Sequence, residues 1–536
     1  MRSSGVLIPV FLVLAAGFAQ TVQPPGDKPA TVEGIVSNAV TGDPIPRAHI
    51  MLFGTVKNEA KTFGAISKAD GTFSMPGLPA GNFMVQAECT GFVAIRNFGG
   101  PNSTRIQVSP GDTKSDVKVK LTPNGAITGR VVDSDGQPVE FATVQAEGMG
   151  SASNSTDDKG QFRLGGLTPG KYTVRAWQPN MIPAPPEIRT DGTAEVHYAQ
   201  TWFPSSLDEK GASRVQLAAG AEASIEIKLI RAPILGIKGK VVGMPAGVQN
   251  ASVQVYQGNS SRSGSQVKPD GKFELWRVDP GKYRLRAGWS NPGGQWVQTA
   301  EAEVDISDSN IEGVELRYVA PADISGSVQY DDEQARPPDP TAKPTGPQTA
   351  QQRFSVKSVT QLGLRPPLGS ISMNTSRRVD VSPDGSFTFQ QVGPGRYVIT
   401  PTWGPVYVKS LRLGDTEMPD GILDLRNGAG NAALTVVLSS AVGQISGTVT
   451  DSNGPVASAT IALVPANSER NPSFGNSRAD GTYTIPGIPP GSYKIAVVDT
   501  DEMQSIGRGK GFQDSAQTAE EIEIHPKDKI TKDFKK

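Results

Sequence analysis

The sequence predicts an all-β chain of five tandem β-sandwich domains, arranged as an elongated row. One pattern of glycine, proline and aromatic positions recurs five times along the 536 residues. Its recurrences lie 87 to 121 residues apart, which leaves room for about seven short strands in each unit. No segment longer than a turn or two has helical periodicity with capping residues. Each unit is therefore long enough to fold around its own core.

Each repeat opens on an alternating strand of the form Ile/Val-x-Gly-x-Val. In a strand, residues i, i+2 and i+4 share one face, so the two aliphatic residues and the glycine are expected to face the core. The five copies lie at 32–36, 127–131, 237–241, 324–328 and 445–449.

A turn with proline and a second strand follow, marked by a Pro and an Ala four residues apart. These pairs are Pro44 and Ala48, Pro138 and Ala142, and Pro455 and Ala459. The third repeat keeps Ala251 without the proline, and the fourth has a Pro-rich insertion at 331–350. We therefore expect the second strand to be most degraded in the fourth repeat.

The most regular element is a turn followed by an aromatic residue. The turn is Asp-Gly in four repeats and Lys-Gly in the second; Asp-Gly favours a hairpin because Gly accepts positive φ. A connector of the form Leu/Val/Ile-x-Pro/Ala-Gly-x-Tyr/Phe then places a second aromatic residue ten positions later. The pairs are Phe73 and Phe83, Phe162 and Tyr172, Phe273 and Tyr283, Phe387 and Tyr397, and Tyr483 and Tyr493. Such a tyrosine resembles the tyrosine corner of sandwich domains.

Each repeat ends on an alternating strand, at 117–121, 225–229, 314–318, 434–438 and 522–524. The predicted sandwich domains are residues 31–122, 123–231, 232–319, 320–440 and 441–536. A signal peptide at 1–19 and a linker at 20–30 precede them. Proline lies in three of the short joints, which predicts limited flexibility between domains.

This order of motifs resembles that of the carboxypeptidase regulatory-like domain, a transthyretin-like (prealbumin-like) β-sandwich. The cleanest copies are 127–144 with 159–177, and 445–463 with 480–497. The segment 198–204 resembles a long version found in secreted acidobacterial proteins. The resemblance covers nearly the whole chain after the signal peptide, with the fourth repeat the weakest copy. It implies a fold rather than an activity, because such sandwiches carry many unrelated functions.

Charge and composition exclude several function classes. The 52 basic and 53 acidic side chains leave a net charge of -1, which provides no electrostatic footprint for nucleic acid. Residues 1–19 have a basic start, an apolar run and a small-x-small site, as in a secretory signal peptide. No later apolar run is long enough for a transmembrane segment, so we expect an exported protein that is extracellular, periplasmic or peripherally attached to the cell surface.

The spacings that enzymes use for catalysis are missing from the chain. None of His49, His197 and His525 has a Glu three residues on, so the zinc-binding pair of metallocarboxypeptidases has no counterpart. There is no Gly-x-Ser-x-Gly, and Cys89, the single cysteine, has no His-bearing motif beside it. We therefore predict no catalytic residues, no metal site and no cofactor.

Six aromatic residues are candidate ligand contacts, since sugars stack on exposed rings and loops at sandwich ends are common binding surfaces. They are Trp177, Tyr198, Trp202, Trp289, Trp296 and Trp403. Three of the tryptophans follow the strand-opening tyrosine by five or six residues, where that strand should run into an end loop. The alternative is that these rings cap the ends of small cores or pack between neighbouring domains.

These observations predict a non-catalytic exported protein that acts as an extracellular or cell-envelope spacer and binding module, with polysaccharide as the expected ligand. A purely structural or adhesin-like module that binds an envelope protein is the main alternative. Two further alternatives are an accessory subunit of an envelope enzyme or transporter, and an enzyme in which Arg353, Arg377 and Arg378 of the fourth repeat hold an anionic ligand. No nucleic-acid partner is expected.

Overall fold

The fold is that of a computed structural model, which describes residues 28–56, 59–93, 104–179, 190–191, 195–245, 247–248, 250–257, 260–290, 296–337, 361–367, 377–466 and 470–536. The predicted signal peptide and most of the insertion at 331–350 lie outside the described residues. The chain divides into two compact units, 1–126 with 165–169 and 217–222, and 127–164 with 170–216 and 223–536. Within the described ranges, no helix has the length and apolar character needed to cross a membrane.

The first repeat is a sandwich of a three-stranded and a four-stranded sheet. Its strands are β1 (Ala30–Asn38), β2 (His49–Val56), β3 (Glu59–Ile66), β4 (Thr72–Leu78), β5 (Gly81–Glu88), β6 (Thr104–Val108) and β7 (Thr113–Leu121). The sheets have the orders β4-β1-β7 and β3-β2-β5-β6. The opening strand β1 is central, antiparallel to β4 and parallel to the closing strand β7. Val32 and Val36 therefore face a core that includes Phe73 and Phe83.

The second repeat keeps this plan and adds a ribbon at its end. Its strands are β8 (Gly125–Val132), β9 (Thr143–Glu147), β10 (Ser151–Ser155), β11 (Gln161–Leu167), β12 (Gly170–Trp177), β13 (Val196–Tyr198), β14 (Thr201–Trp202), β15 (Val215–Leu217), β16 (Glu222–Lys228) and β17 (Arg231–Pro233). The sheets are β11-β8-β16 and β10-β9-β12-β14, with β15 also on β12. Strands β13 and β17 pair where the chain enters the third repeat. A 3-10 helix, Glu209–Gly211, precedes β15.

The third repeat has the same seven-strand plan as the first. Its strands are β18 (Leu235–Val242), β19 (Ser252–Gln257), β20 (Ser260–Gln266), β21 (Lys272–Val278), β22 (Gly281–Ser290), β23 (Trp296–Ile306) and β24 (Ile311–Arg317). The sheets are β21-β18-β24 and β20-β19-β22-β23. Ile237, Val241, Phe273 and Tyr283 meet in its core, as the alternation predicts.

The fourth repeat extends the sheet of the opening strand with a hairpin. Its strands are β25 (Ala322–Tyr330), β26 (Gln361–Arg365), β27 (Arg377–Asp380), β28 (Ser386–Val392), β29 (Arg396–Pro401), β30 (Tyr407–Leu413), β31 (Thr416–Glu417), β32 (Ile422–Asp424) and β33 (Leu434–Ser439). The sheets are β28-β25-β33-β30-β31 and β27-β26-β29-β32. Two 3-10 helices, Glu333–Ala335 and Pro419–Gly421, lie in its connections.

The fifth repeat closes with two short strands and contains an α-helix. Its strands are β34 (Gly443–Asp451), β35 (Gly454–Pro455), β36 (Thr460–Pro465), β37 (Ser473–Asn476), β38 (Thr482–Ile488), β39 (Gly491–Val498), β40 (Glu520–Ile524), β41 (Lys529–Thr531) and β42 (Phe534–Lys535), and its helix is α1 (Thr500–Gly507). One sheet is β35-β34-β38 with β41 and β42 on β34, and the other is β37-β36-β39-β40.

The strand predicted at 522–524 is present, but it is not the last strand of the repeat. It belongs to β40, which pairs antiparallel with β39 in the four-stranded sheet, as β6 pairs with β5 in the first repeat. The parallel place beside the opening strand is taken by β41 and β42. Both segments alternate in polarity, so periodicity alone does not tell which sheet each one joins.

Helix α1 is the regular element that the apolar periodicity does not predict. Asp499 caps its first turn, because a carboxylate oxygen of Asp499 accepts the Glu502 N–H at 2.8 Å. The buried Glu502 carboxylate in turn accepts the N–H groups of Gln513 and Ser515. Polar capping and the loop that follows therefore hold an eight-residue helix too short to be stable alone.

A close approach of the opening and closing strands explains the glycine at the centre of each opening strand. A Cβ added to Gly34 would lie 2.1 Å from the Val117 carbonyl oxygen and 2.8 Å from the Phe73 ring. The same crowding, at 1.8 to 2.3 Å from a backbone oxygen, occurs at Gly129, Gly239, Gly326 and Gly447. Any side chain is excluded at this position, and the aromatic ring of the third element packs on the bare backbone.

In three of the repeats, a buried side-chain hydroxyl makes two hydrogen bonds to the turn that precedes the second strand. Thr156 Oγ1 donates to the Val139 carbonyl at 2.7 Å and accepts the Ala142 N–H at 2.9 Å. Ser67 and Ser477 make the same two bonds in the first and fifth repeats. We call this arrangement the hydroxyl clamp. It lies three residues before the Asp-Gly or Lys-Gly turn, a signal that the motif search missed.

The tyrosine corner is confirmed in the fourth and fifth repeats. Tyr397 Oη donates to the Gly393 carbonyl at 2.9 Å, and Tyr493 Oη donates to the Pro489 carbonyl at 2.7 Å. Burial raises the pKa of both phenols to about 12. The hydroxyls therefore remain protonated donors that tie each strand to its connector.

Replacing Gly129 by Ala should strongly destabilise the second domain. The new Cβ would stand 1.8 Å from the Ile225 carbonyl oxygen, and overpacking of this kind costs about 3 kcal/mol. Hydrogen exchange of the full chain should show faster exchange across β8 and β12. Gly150→Ala is the control, because its Cβ would make only an ordinary 3.6 Å contact. Equal protection in the two variants would contradict this account of the glycine.

Replacing Thr156 by Val should test the hydroxyl clamp without changing side-chain volume. The substitution leaves the Ala142 N–H and the Val139 carbonyl buried without partners, which costs about 2 kcal/mol. Unfolding in denaturant, monitored by hydrogen exchange of the second domain, measures the loss of stability. Thr143→Val, on the neighbouring strand and only half-buried, should change stability little. If both variants were equally stable, the clamp would have no energetic role.

Candidate ligand-binding cleft

A cleft of about 480 Å³ lies where the second and third domains meet, inside the second compact unit. Side chains of β9, β12 and β13 line one wall, and those of β20 and β21 line the other. Four aromatic residues border it: Trp177, Tyr198, Trp276 and the largely buried Tyr283. Its volume falls in the range of roughly 300 to 1,000 Å³ that small-molecule sites occupy.

The wall on the second domain is built around Arg175. Strand alternation sends Tyr172 and Val174 into the core, and the Arg175 guanidinium lies between the rings of Trp177, at 5.4 Å, and Trp202, at 5.2 Å. Gln145 Oε1 accepts from it at 2.7 Å, and Glu147 Oε1 accepts at 3.1 Å. Burial lowers the pKa of Arg175, and the nearby Glu147 carboxylate opposes that shift. The guanidinium is therefore held rigid behind the Trp177 ring.

The Tyr198 ring is positioned by Asp133. The Tyr198 hydroxyl and Arg231 Nη2 both donate to Asp133 Oδ2, at 3.1 and 2.7 Å. The other oxygen accepts the N–H groups of Asp135 and Gln137, and the Gln137 bond above all lowers the pKa of Asp133. The Arg231 guanidinium also lies 5.7 Å from the centre of the Tyr198 ring. These contacts hold the ring at the edge of the cleft.

Trp276 lines the cleft from the third domain, and it was not among the contact residues predicted from the sequence. Its neighbours Phe273 and Leu275 face the core, so Trp276 has the outward register on β21. Lys238 Nζ lies 5.3 Å from the centre of its ring. Gly236 makes room for this ring, because a Cβ there would stand 2.7 Å from it. Outward parity of a large aromatic residue was the signal that could have identified it.

A polar staple joins the two domains at the base of the cleft. His197 Nε2 donates to Asp279 Oδ1 at 2.6 Å, and the Gln200 N–H donates to Asp279 Oδ2 at 3.0 Å. Arg277 Nη2 contacts Glu195 Oε1 at 3.3 Å. Arg277 has a φ of 60°, a strained conformation for a residue with a Cβ. The Pro-Gly connector of the third domain thus serves as the contact surface for the second.

Two of the six predicted contact residues are buried. Trp202 is 4% exposed and pairs through its backbone with Arg175. Trp403 is 5% exposed, packs in the core of the fourth repeat and donates from Nε1 to the Ala335 carbonyl at 3.1 Å. Neither ring has a free face for a ligand. Their burial is what the alternative interpretation expects, in which such rings cap small cores.

The remaining predicted residues divide between the cleft and other positions. Trp177 and Tyr198 meet in the cleft. Trp289 stacks on Tyr318, with ring centres 5.5 Å apart and an interplanar angle of 26°. Trp296 begins β23, and its side chain lies outside the described residues. The cleft therefore brings together two predicted contact residues with Trp276 and Tyr283, which were not predicted as contacts.

Of the histidines, the cysteine and the arginines singled out in the sequence, only His197 is among the described residues that line the cleft. His49 is exposed beside Glu88, and Cys89 packs half-buried against the first core. Arg377 donates to the Gln391 carbonyl at 2.8 Å, while Arg353 lies outside the described residues. In the part of the chain that the structure describes, no three His, Cys, Asp or Glu side chains form a group that could hold a metal ion.

The sequence pattern of the carboxypeptidase regulatory-like domain matches residues 31–122, 126–201 and 444–535. These three regions are similar to the carboxypeptidase regulatory-like domain and together make up just under half of the chain. The matched regions are the first, second and fifth sandwiches, and the second of them carries Trp177 and Tyr198. The third and fourth sandwiches repeat the topology outside the matched regions. No curated protein matches the chain in sequence.

Several solved structures are similar to the chain at low identity. The TIE protein of Bacillus anthracis is 15% identical, with 54% of this chain and 51% of that chain covered and a TM-score of 0.17. GBS52, the minor pilin of Streptococcus agalactiae, is 15% identical, with 38% and 97% covered and a TM-score of 0.24. Two B repeat units of the collagen-binding protein of Staphylococcus aureus are 12% identical, with 77% and 99% covered and a TM-score of 0.13. The chain thus spans about half the length of the TIE protein.

A double-mutant cycle on His197 and Asp279 should reveal a favourable coupling of about 1 kcal/mol. Both side chains are mostly buried, so their bond is little screened by solvent. His197→Gln, Asp279→Asn and the double variant would be compared by chemical unfolding of the full chain. Lys238 and Glu312 form an exposed pair and serve as the control, with a coupling of about 0.3 kcal/mol or less. Strict additivity at His197 and Asp279 would show that the staple does not join the domains.

Proposed function

We propose that the protein is a non-catalytic exported spacer and binding module that holds a carbohydrate in the cleft between its second and third domains. The observation that carries this proposal is the meeting of the Trp177, Tyr198 and Trp276 rings around a cavity of about 480 Å³. Apolar sugar faces pack on such rings, while sugar hydroxyls need donors and acceptors. Gln145, Gln178 and Gln200 in the lining supply both.

The arrangement of carboxylates in the cleft supports binding rather than turnover. Glycoside hydrolysis uses two carboxyl groups on either side of the scissile bond. Among the described residues that line the cleft, Asp279 is the single carboxylate. It already accepts from His197 and Gln200, so it is committed to the domain staple. A sugar held here would meet stacking faces and amides without an acid and base pair.

The export assignment rests on the N-terminal pattern at 1–19 and on the absence of a later apolar run in the sequence. Regulatory-like sandwiches in tandem suit a spacer, because each one folds around its own core. Polysaccharide or an envelope protein at the cell surface, in the periplasm or outside the cell is the expected partner.

A purely structural or protein-binding module is the second candidate. It is favoured by the burial of Trp202 and Trp403 and by the stacking of Trp289 on Tyr318, since these rings serve packing. Under this alternative, Trp177 and Trp276 would contact a protein loop instead of a sugar. An accessory role beside an envelope enzyme or transporter is a form of the same alternative.

Calorimetric titration with oligosaccharides from bacterial cell walls and from plant polysaccharides should test the cleft. We expect binding by the full chain, weakened at least tenfold by Trp177→Ala and by Trp276→Ala, because each loses a stacking face. Trp289→Ala is the matched control, since that ring stacks on Tyr318 away from the cleft. Binding that all three variants retain, or no binding of any oligosaccharide, would refute the carbohydrate site. Capture of a partner protein that depends on Trp276 would favour the alternative.

A further inference from the structure

A second cavity, of about 240 Å³, lies where the fourth and fifth domains meet. Strands β26, β29 and β30 and the connector before β39 contribute to it. We propose that this cavity binds a small oxyanion, either an inorganic one or the carboxylate of an acidic sugar. It is remote in sequence from the carbohydrate cleft and is independent of the function proposed for that cleft.

Arg365 is the first reason for the proposal. It ends β26, where its alternate neighbours Leu362 and Leu364 face the core, and its side chain lines the cavity. No hydrogen bond or ion pair joins the Arg365 guanidinium to any residue that the structure describes. Burial lowers the pKa of Arg365, and no neighbouring charge opposes that shift. A half-buried guanidinium always carries its charge, so it favours a counter-anion in the cavity.

Arg470 brings a second positive charge to the same cavity from the fifth domain. Its Nη2 lies 3.8 Å from the position of a Cβ on Gly421, so its side chain reaches the fourth domain. Its charge also favours the ionised form of Tyr493, which burial opposes. Two guanidinium groups from two domains therefore border one cavity.

The rest of the lining suits an anion. Among the described residues around the cavity there is no Asp or Glu, whereas Tyr407, Asn471 and Ser473 offer neutral donors. Guanidinium groups bind carboxylate and phosphate oxygens in pairs of parallel hydrogen bonds. The volume is below the usual range for drug-sized ligands, which suits a small anion or a single acidic sugar.

The position of this cavity repeats that of the carbohydrate cleft. Tyr283 lines the cleft and Tyr493 lines the cavity, and both are the connector tyrosines of the domain that follows the joint. Strands β9 and β12 of the second domain correspond to β26 and β29 of the fourth, which supply Arg365 and Val398. The joint between the second and third domains is thus lined by aromatic rings and amides, whereas the corresponding joint between the fourth and fifth domains is lined by arginines.

Titration calorimetry of the full chain with phosphate, sulfate, glucuronate and glucose tests this proposal. We expect binding of at least one of the three anions and none of glucose. Arg365→Gln should weaken that binding at least tenfold, and Arg378→Gln, an exposed arginine of the same sheet, should leave it unchanged. Binding of glucuronate alone would identify the acidic sugar as the source, and binding of phosphate or sulfate would identify an inorganic anion. No anion binding, or binding insensitive to Arg365→Gln, would overturn the proposal.

A second variant separates loss of binding from loss of folding. Arg365→Met removes the charge and keeps an unbranched side chain, so the unliganded variant should melt at or above the temperature of the original chain. Added anion should raise the melting temperature of the original chain and not that of Arg365→Met. A lower melting temperature for unliganded Arg365→Met, with no anion effect on either protein, would show that Arg365 has a structural role.

Discussion

The fold depends on how closely the closing strand passes the opening strand of each sandwich. That approach leaves no volume for a Cβ between the closing-strand carbonyl and the aromatic ring of the third element, so glycine, ring and parallel pairing require one another. Losing the ring would open a void, and enlarging the glycine would force an overlap. Because these contacts recur in all five sandwiches, the most recurrent residues of the chain are explained by packing and not by a reaction.

The third and fourth repeats lack two turn features that the other three repeats share. The first, second and fifth repeats keep the hydroxyl clamp. The same three repeats have a glycine with positive φ four residues after the aromatic residue that follows the Asp-Gly or Lys-Gly turn. These are also the repeats that the family pattern matches. The third and fourth have Val267 and Val381 in place of the hydroxyl, and Arg277 and Gln391 at the positive-φ position. Strain at Arg277 therefore coincides with a contact between domains.

Residue parity predicted the strand cores, because one buried face leaves a strand only one possible register. Parity did not decide whether the six candidate aromatic residues bind a ligand, and two of them, Trp202 and Trp403, are buried by contacts distant in sequence. Residue parity could have identified Trp276, because this residue has the outward register at a position where the other repeats have small or polar residues. Those residues are Pro76, Gly165, Gln390 and Pro486. The cleft itself required two domains to meet, and no local pattern encodes that meeting.

The connector motif has a second role that its turn chemistry conceals. In the third domain the connector presents Asp279, whose carboxylate accepts hydrogen bonds from His197 Nε2–H and from the Gln200 N–H of the preceding domain. In the fifth domain the corresponding segment places Pro489 and Tyr493 against the fourth. A recurrent turn thus creates a cavity at each of these joints, because it holds the next domain against the open end of the one before. The motif determines where a cavity forms, and the residues that vary around it determine which side chains line that cavity.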